Sequence, residues 1–292
     1  MHIKSDGGST KVEWVLTAGD TEASRCVTDD VRCVTDGVRC VTEGVRCVTE
    51  GINPSLQKPE EIRRTLRGLI EAHPSFAEAE SVEYYGAGCT PAASVVMRDM
   101  LCEVFRSATT VVVGSDIVGA AKALLGGSEG IACILGTGAN SCLWDGTAVV
   151  RQTPALGFIL GDEGSGAVLG RLFLNAIYKG VLPEALRKEF EAEYGLGVTD
   201  IIEKVYRQPM PNRWLASLSP FVLRHVSDEG VRSIVYDNFM AFLSRNIQPY
   251  RRPELPVNFV GSIAFCYREV LCDAIRASGL RCGKIMKSPL DV

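Results

Sequence analysis

Histidine is scarce in this chain, and the three that occur, His2, His73 and His225, are far apart. No C-x-x-C pair accompanies them, so no zinc pattern is present. A run of about 18 apolar residues is also missing. The nearest approach, Thr109 to Leu125, is broken by Asp116 and Lys122, which excludes a membrane-spanning helix there. Neither G-x-x-x-x-G-K-[ST] nor G-x-G-x-x-G occurs, which removes the P-loop and dinucleotide-binding readings. Net charge is only −4, so neither nucleic acid nor an anionic membrane is expected as a partner. No apolar signal-type segment accompanies His2-Ile3-Lys4, and a cytoplasmic location is the expectation.

What is present is a globular composition: 292 residues, 46% hydrophobic and 23% charged, with room for two domains each holding its own core. Four of the eleven cysteines (Cys26, Cys33, Cys40, Cys47) belong to a seven-residue repeat spanning 25–51: RCVTDDV, RCVTDGV, RCVTEGV, RCVTEGI. Thr, Val, Cys and Gly are poor helix formers, so each unit reads as a short strand and a turn rather than a coiled-coil heptad. The expectation is a tandem expansion inserted in a surface loop, loosely paired and without chemistry. The other cysteines are scattered singly in apolar surroundings and are expected to be buried free thiols.

The stretch Gly130–Gly170 organises the rest. Ile131 to Leu135 reads as a buried strand that ends in Gly136-Thr137-Gly138, a turn whose backbone N–H groups could face a phosphate. Ser141 to Trp144 returns towards the Asp145-Gly146 turn. Gly161-Asp162-Glu163-Gly164-Ser165-Gly166 then precedes the helix pattern Ala167 to Tyr178; its two carboxylates read either as helix-start capping or as site residues. Upstream, Asp6-Gly7-Gly8-Ser9-Thr10-Lys11 forms the corner of a hairpin, either a plain glycine turn or a place where Asp6 could hold a metal ion and Ser9 and Thr10 touch phosphate. The strand Val82 to Tyr85 ends in Gly86-Ala87-Gly88, and Val257 to Val260 ends in Gly261-Ser262. Asp116 follows the strand Thr109 to Val113, as an N-cap or as a ligand-facing carboxylate. Helices are expected at 59–73, 91–105, 117–125, 183–193, 199–207, 212–226, 228–248 and 265–277, with a last strand at 284–286. Alternating strands and helices with glycine corners describe an α/β enzyme that handles phosphates.

These corners resemble the acetate and sugar kinase, Hsp70 and actin superfamily. Within it the chain resembles the BadF/BadG/BcrA/BcrD ATPase family and its N-acetylglucosamine kinases. The resemblance rests on Asp6–Lys11, Ile134–Ser141, Leu160–Gly166 and Val260–Ala264, and covers nearly the whole chain except the repeats. It implies two ribonuclease H-like, actin-like ATPase domains with an interdomain cleft, expected at 1–108 and 109–292, with ATP and Mg²⁺ as cofactors and, commonly, a homodimer.

The same resemblance implies residue roles. Asp116 falls at the catalytic carboxylate and Asp6 near the metal. Gly7, Gly8, Ser9, Thr10, Lys11, Gly136, Thr137, Gly138, Ala216, Gly261 and Ser262 fall around the nucleotide. Asn53, Asn140, Ala155, Leu156, Asp162 and Glu163 fall around the sugar. The first loop departs from the pattern by carrying Ser9 where related kinases often have a third glycine. The reading is ATP-dependent phosphorylation of an amino-sugar hydroxyl, on N-acetylglucosamine or glucosamine. One alternative is an ATPase that activates a redox enzyme, in which Cys89, Cys133 and Cys142 would serve an iron–sulfur cluster. The other is a non-catalytic sugar or nucleotide sensor.

Overall fold

The structure, a computed structural model, describes residues 1–8, 10–18 and 44–291. Contacts divide the chain into two compact units, Met1–Asp116 and Ile117–Val292.

In the first unit, β1 (His2–Gly7) and β2 (Lys11–Thr17) form the expected hairpin, in register from His2↔Thr17 to Gly7↔Val12. β3 (Val45–Glu50) pairs antiparallel with β2, Trp14 opposite Cys47. The chain crosses through α1 (Pro59–Ala72) to β4 (Ser81–Gly86), then through α2 (Pro91–Val104) to β5 (Thr110–Ser115). β4 lies parallel to β1 and β5 parallel to β4, giving the order β3-β2-β1-β4-β5.

Local sequence explains these elements. Val12, Trp14 and Leu16 alternate into the core, the period of a half-buried strand. Ile62, Leu66 and Leu69 form one buried stripe on α1, whose first turn carries Pro59, Glu60 and Glu61. Thr90 caps α2 by accepting from the Ala93 N–H at 3.3 Å. Trp14 is fully buried, its ring 5.8 Å from Tyr84 and 6.2 Å from Phe105.

Two expectations need correction here. Because β5 pairs with β4 along its full length, the units divide at 116/117 and not at 108/109. The last repeat is no loose insertion: Val45–Glu50 is a fully registered edge strand with Thr49 accepting from the Trp14 indole at 3.0 Å. The earlier repeat copies lie outside the described residues.

The second unit repeats the same strand plan. α3 (Asp116–Leu125) leads to β6 (Gly130–Leu135), β7 (Ala139–Trp144) and β8 (Val149–Gln152). A long helical excursion follows: α4 (Gly157–Leu160), α5 (Gly166–Tyr178), α6 (Glu184–Tyr194), α7 (Val198–Tyr206), α8 (Pro211–Ala216), α9 (Ser219–Arg224) and α10 (Glu229–Phe242). It closes in a π-type turn at Leu243–Ile247. β9 (Pro256–Val260), α11 (Ser262–Cys266), α12 (Arg268–Ala277) and β10 (Arg281–Met286) complete the unit. The order β8-β7-β6-β9-β10 puts an antiparallel meander beside two parallel strands, as in the first sheet.

β6 is buried on both faces, which is why it reads as an unbroken apolar run. Ile131, Cys133 and Leu135 join the core formed by α5, α10 and α12, while Ala132 joins Ile117, Ala120, Ala121 and Leu124 of α3. The helix expected at 212–226 is two helices, and that at 228–248 gives way to the π-type turn after Phe242.

Candidate active site

In the first unit, parallel pairing sets Gly7, Gly86 and Ser115 side by side, so the carboxyl ends of β1, β4 and β5 are level. The Ala87 N–H donates to the Gly7 carbonyl at 2.7 Å, and the Gly8 N–H donates to the Lys11 carbonyl at 2.9 Å, closing the β1–β2 corner. The glycines are needed for space. A Cβ on Gly7 or Gly86 would stand 2.5 or 2.6 Å from atoms of the Tyr84 ring and hydroxyl, whose side chain runs directly beneath both.

The charges at this edge are held under tension. Burial first, then the charges of Asp116 and Glu13, push the Asp6 carboxyl up to about 7, with Lys11 opposing. Burial and Asp116 push the Cys89 thiol up to about 11. Tyr84 is raised well above the ordinary range by burial, with Cys89, Asp6 and Asp116 adding to it. Its buried hydroxyl has no hydrogen-bond partner among the described residues.

Asn53 lies against the same loop. Its Oδ1 accepts from the Ser55 N–H at 3.1 Å, and Ser55 Oγ donates to the Gly88 carbonyl at 2.6 Å. Gly88, at φ +77°, has no room for a Cβ, which would fall 2.0 Å from that Oδ1. The first unit thus gathers Asp6, Gly7, Gly8, Asn53 and Asp116 around the ends of its parallel strands. Thr10 and Lys11 sit at the start of β2, where the Gly51 N–H donates to the Thr10 carbonyl at 3.2 Å. Ser9 lies outside the described residues.

The second unit has an equivalent edge. Gly261, at φ +121°, faces Leu135 so closely that a Cβ would stand 2.3 Å from its carbonyl oxygen. The N–H groups of Gly166 and Ala167 donate to the carbonyls of Gly136 and Thr137 at 2.8 and 3.1 Å. Ser165 Oγ accepts from the Val168 N–H at 3.2 Å. The opening donors of α5 are therefore occupied in fixing the 136–138 turn, and that helix start is a clamp and not an anion site. Ala216 reaches this corner because Gly166 and Gly170 let α8 approach: a Cβ on Gly166 would meet the Ala216 Cβ at 3.2 Å, and one on Gly170 would strike the Leu215 carbonyl oxygen at 2.1 Å. Ser262 opens α11, exposed at the same end. The structure brings Gly136, Thr137, Gly138, Ala216, Gly261 and Ser262 together.

Of the residues expected around the sugar, Asn53 lies in the first unit and the other five lie in this one. Asp162 adopts φ +54°, uncommon for a residue with a side chain. Burial raises its carboxyl pKa, the Ala139 N–H lowers it and the charge of Glu163 adds to the rise. Asn140 Oδ1 accepts from Gln152 Nε2 at 2.9 Å. Ala155 and Leu156 lie exposed in the segment after β8. Glu163 is held otherwise: burial acts to raise its pKa, but Arg245, at 2.6 Å, and Asn246, at 3.4 Å, hold it below the ordinary carboxylate value. Its two oxygens engage the π-type turn that follows α10, a bracing role.

A solved protein of Porphyromonas gingivalis, named as a candidate N-acetylglucosamine kinase, is 44% identical over all of this chain and 96% of its own, with a TM-score of 0.88. The chain belongs to this kinase-like family. Two further structures share the fold of the family. A candidate N-acetylglucosamine kinase of Chromobacterium violaceum has 20% identity, coverage of 97% and 94%, and a TM-score of 0.65. A ROK family glucokinase of Streptomyces griseus, solved with glucose and AMPPNP, has 17% identity, coverage of 99% and 94%, and a TM-score of 0.54. No protein-family model matches the chain, and no curated protein matches it. The architecture is that of the actin-like ATPase sugar kinases, two ribonuclease H-like domains built on two five-stranded mixed sheets.

Sequence reasoning missed what braces this edge of the second unit. Asn238 of α10, buried, accepts from the Gly164 N–H at 2.8 Å and donates to the Ser165 carbonyl at 3.3 Å. Gln152, Arg245, Asn246 and Tyr250 were also unmarked; their one visible signal is polarity within otherwise core-forming stretches. Cys89 belongs to the first unit's core, and Cys133 and Cys142 to opposite faces of the second sheet. Among the described residues the thiols are free, as expected, but Cys102, Cys266 and Cys282 are exposed, and Cys272 Sγ lies 3.7 Å from Cys282 Sγ.

Proposed function

We propose that the chain is an ATP-dependent sugar kinase that phosphorylates a hydroxyl of N-acetylglucosamine or glucosamine, on carbon six. The observation that carries this reading is the carboxylate pair Asp6 and Asp116 at the level ends of β1 and β5, in a chain 44% identical to a candidate N-acetylglucosamine kinase. Phosphoryl transfer asks little covalent chemistry of a protein; positioning and charge neutralisation dominate. Asp116 accepts the proton of the attacking hydroxyl as it adds to the terminal phosphorus of ATP, and the bond to the leaving ADP oxygen breaks. The corners at 7–11 and 136–138 hold the phosphates, with Ala216, Gly261 and Ser262 beside the nucleoside. Asn53, Asn140, Ala155, Leu156 and Asp162 orient the sugar, with Glu163 fixed behind Asp162.

Asp6 suits a divalent cation. A buried carboxyl driven up to about 7 by its surroundings and by Asp116 gains from a positive charge nearby. Among the described residues no group of three or more His, Cys, Asp or Glu could hold a metal. Mg²⁺, however, commonly takes only one or two protein carboxylates, the rest being water and phosphate oxygens. When bound, it would supply charge neutralisation on the phosphates. The test is ADP release across a panel of amino sugars and hexoses: turnover with an amino sugar supports the reading, and release with no sugar, or ADP formation indifferent to sugar, refutes it.

A further inference from the structure

The end of α10 departs from regular helix where the three sugar-facing segments meet. The Gln248 N–H donates to the Leu243 carbonyl, the i→i+5 bond of a π-type turn. Such turns widen the helix locally and are frequent at functional sites. Within it, Asn246 contacts three separate segments. Its carbonyl accepts from Thr153 Oγ1 at 2.9 Å and from Ser141 Oγ at 3.4 Å. Its side-chain Nδ2 donates to Glu163 Oε2 at 3.4 Å. Tyr250, one turn further on and buried, reinforces two of these: its hydroxyl bonds Ser141 Oγ at 2.8 Å and accepts from the Thr153 N–H at 3.0 Å.

Each contacted residue lies within two positions of a residue of the acceptor group. Ser141 follows Asn140, Thr153 precedes Ala155 and Leu156, and Glu163 follows Asp162. The same segments are also tied to each other by the β7–β8 ladder, by the Gln152 to Asn140 bond and by the Ala139 N–H on the Asp162 carboxylate, so Asn246 adds the link that reaches all three. We infer that Asn246 is a positioning residue of the acceptor pocket: it sets the spacing of Asn140, Ala155–Leu156 and Asp162, and so governs affinity and selectivity for the sugar without touching it. A displacement of any one segment leaves hydrogen-bonding groups misaligned with the sugar hydroxyls, the type of error that polar sites reject most strongly. At the nucleotide corner Gly136 and Thr137 are held by α5, and Asn246 bonds neither of them.

This inference rests on the sugar-kinase reading and is tested by steady-state kinetics on the full chain. Asn246→Ala removes the bond to Glu163, and Thr153→Val removes a bond to the Asn246 carbonyl with little change of shape. Both variants should raise the acceptor KM by about tenfold (~1.4 kcal/mol) while leaving the ATP KM near its original value. They should also narrow the preference between N-acetylglucosamine and glucosamine. A merely structural role would move both KM values and the melting temperature together. An active wild type whose acceptor KM is unchanged in both variants overturns the inference and leaves the kinase reading standing. A wild type that phosphorylates no sugar refutes the kinase reading first, and the inference with it.

Discussion

The Asp162 carboxylate lies against Gly138: a Cβ on that glycine would stand 3.0 Å from Oδ2, and the next amide, that of Ala139, hydrogen-bonds the same carboxylate. The turn read as a phosphate corner and the loop read as a sugar contact are thus one piece of structure within the second unit. Gly138→Ala should shift Asp162 by a few tenths of an ångström and raise the acceptor KM by about tenfold (~1.4 kcal/mol). Steady-state kinetics with the sugar varied at saturating ATP would check it; an unchanged acceptor KM would mean the contact has slack.

Asp6 gives a pH signature. Its carboxyl is raised in the fold from 3.8 to about 7, so the folded state binds the proton more tightly than the unfolded chain does. Stability from this group is therefore complete below about pH 4 and is lost as pH rises to about 7, where the charge must be carried beside Asp116 and Glu13. At about 1.4 kcal/mol per pKa unit the loss is ~4 kcal/mol. Asp6→Asn should match the wild type near pH 4 and melt at higher temperature at pH 8, with a chelator present to keep cations away. Equal melting curves at both pH values would show that Asp6 is well solvated.

Gly261 combines φ +121° with contact to the Leu135 carbonyl. Gly261→Ala adds backbone strain and a clash to the same residue, ~3 kcal/mol together. Thermal denaturation should show the transition lowered by roughly 6–10 °C. A shift within scan error would mean that β6 and β9 can part at no cost.

Much of this was legible in the chain before any coordinates. The glycine corners announce themselves because backbone approach tolerates no Cβ, and β6 does so because both its faces are buried. β3 was not legible: four near-identical repeats give no local reason to single out 45–50, and its pairing with β2, Trp14 opposite Cys47, is made with residues about 30 positions away. β8 was missed because three of its four residues are exposed, which leaves it no apolar alternation. Asn238, Arg245 and Asn246 were unreadable for a different cause. Their partners lie 73 to 105 residues away, and no periodicity within α10 encodes a hydrogen bond to another segment. The division between units was misplaced because β5 is apolar enough to suit either sheet, and only its register with β4 assigns it to the first.

The account turns on Asp116 as the base that accepts the proton of the sugar hydroxyl. Single-turnover transfer from ATP to N-acetylglucosamine, measured for Asp116→Asn beside the wild type with nucleotide binding followed by calorimetry, tests it most directly. The account predicts transfer slowed by about 10²–10⁴-fold with ATP still bound. Transfer at the wild-type rate would contradict it.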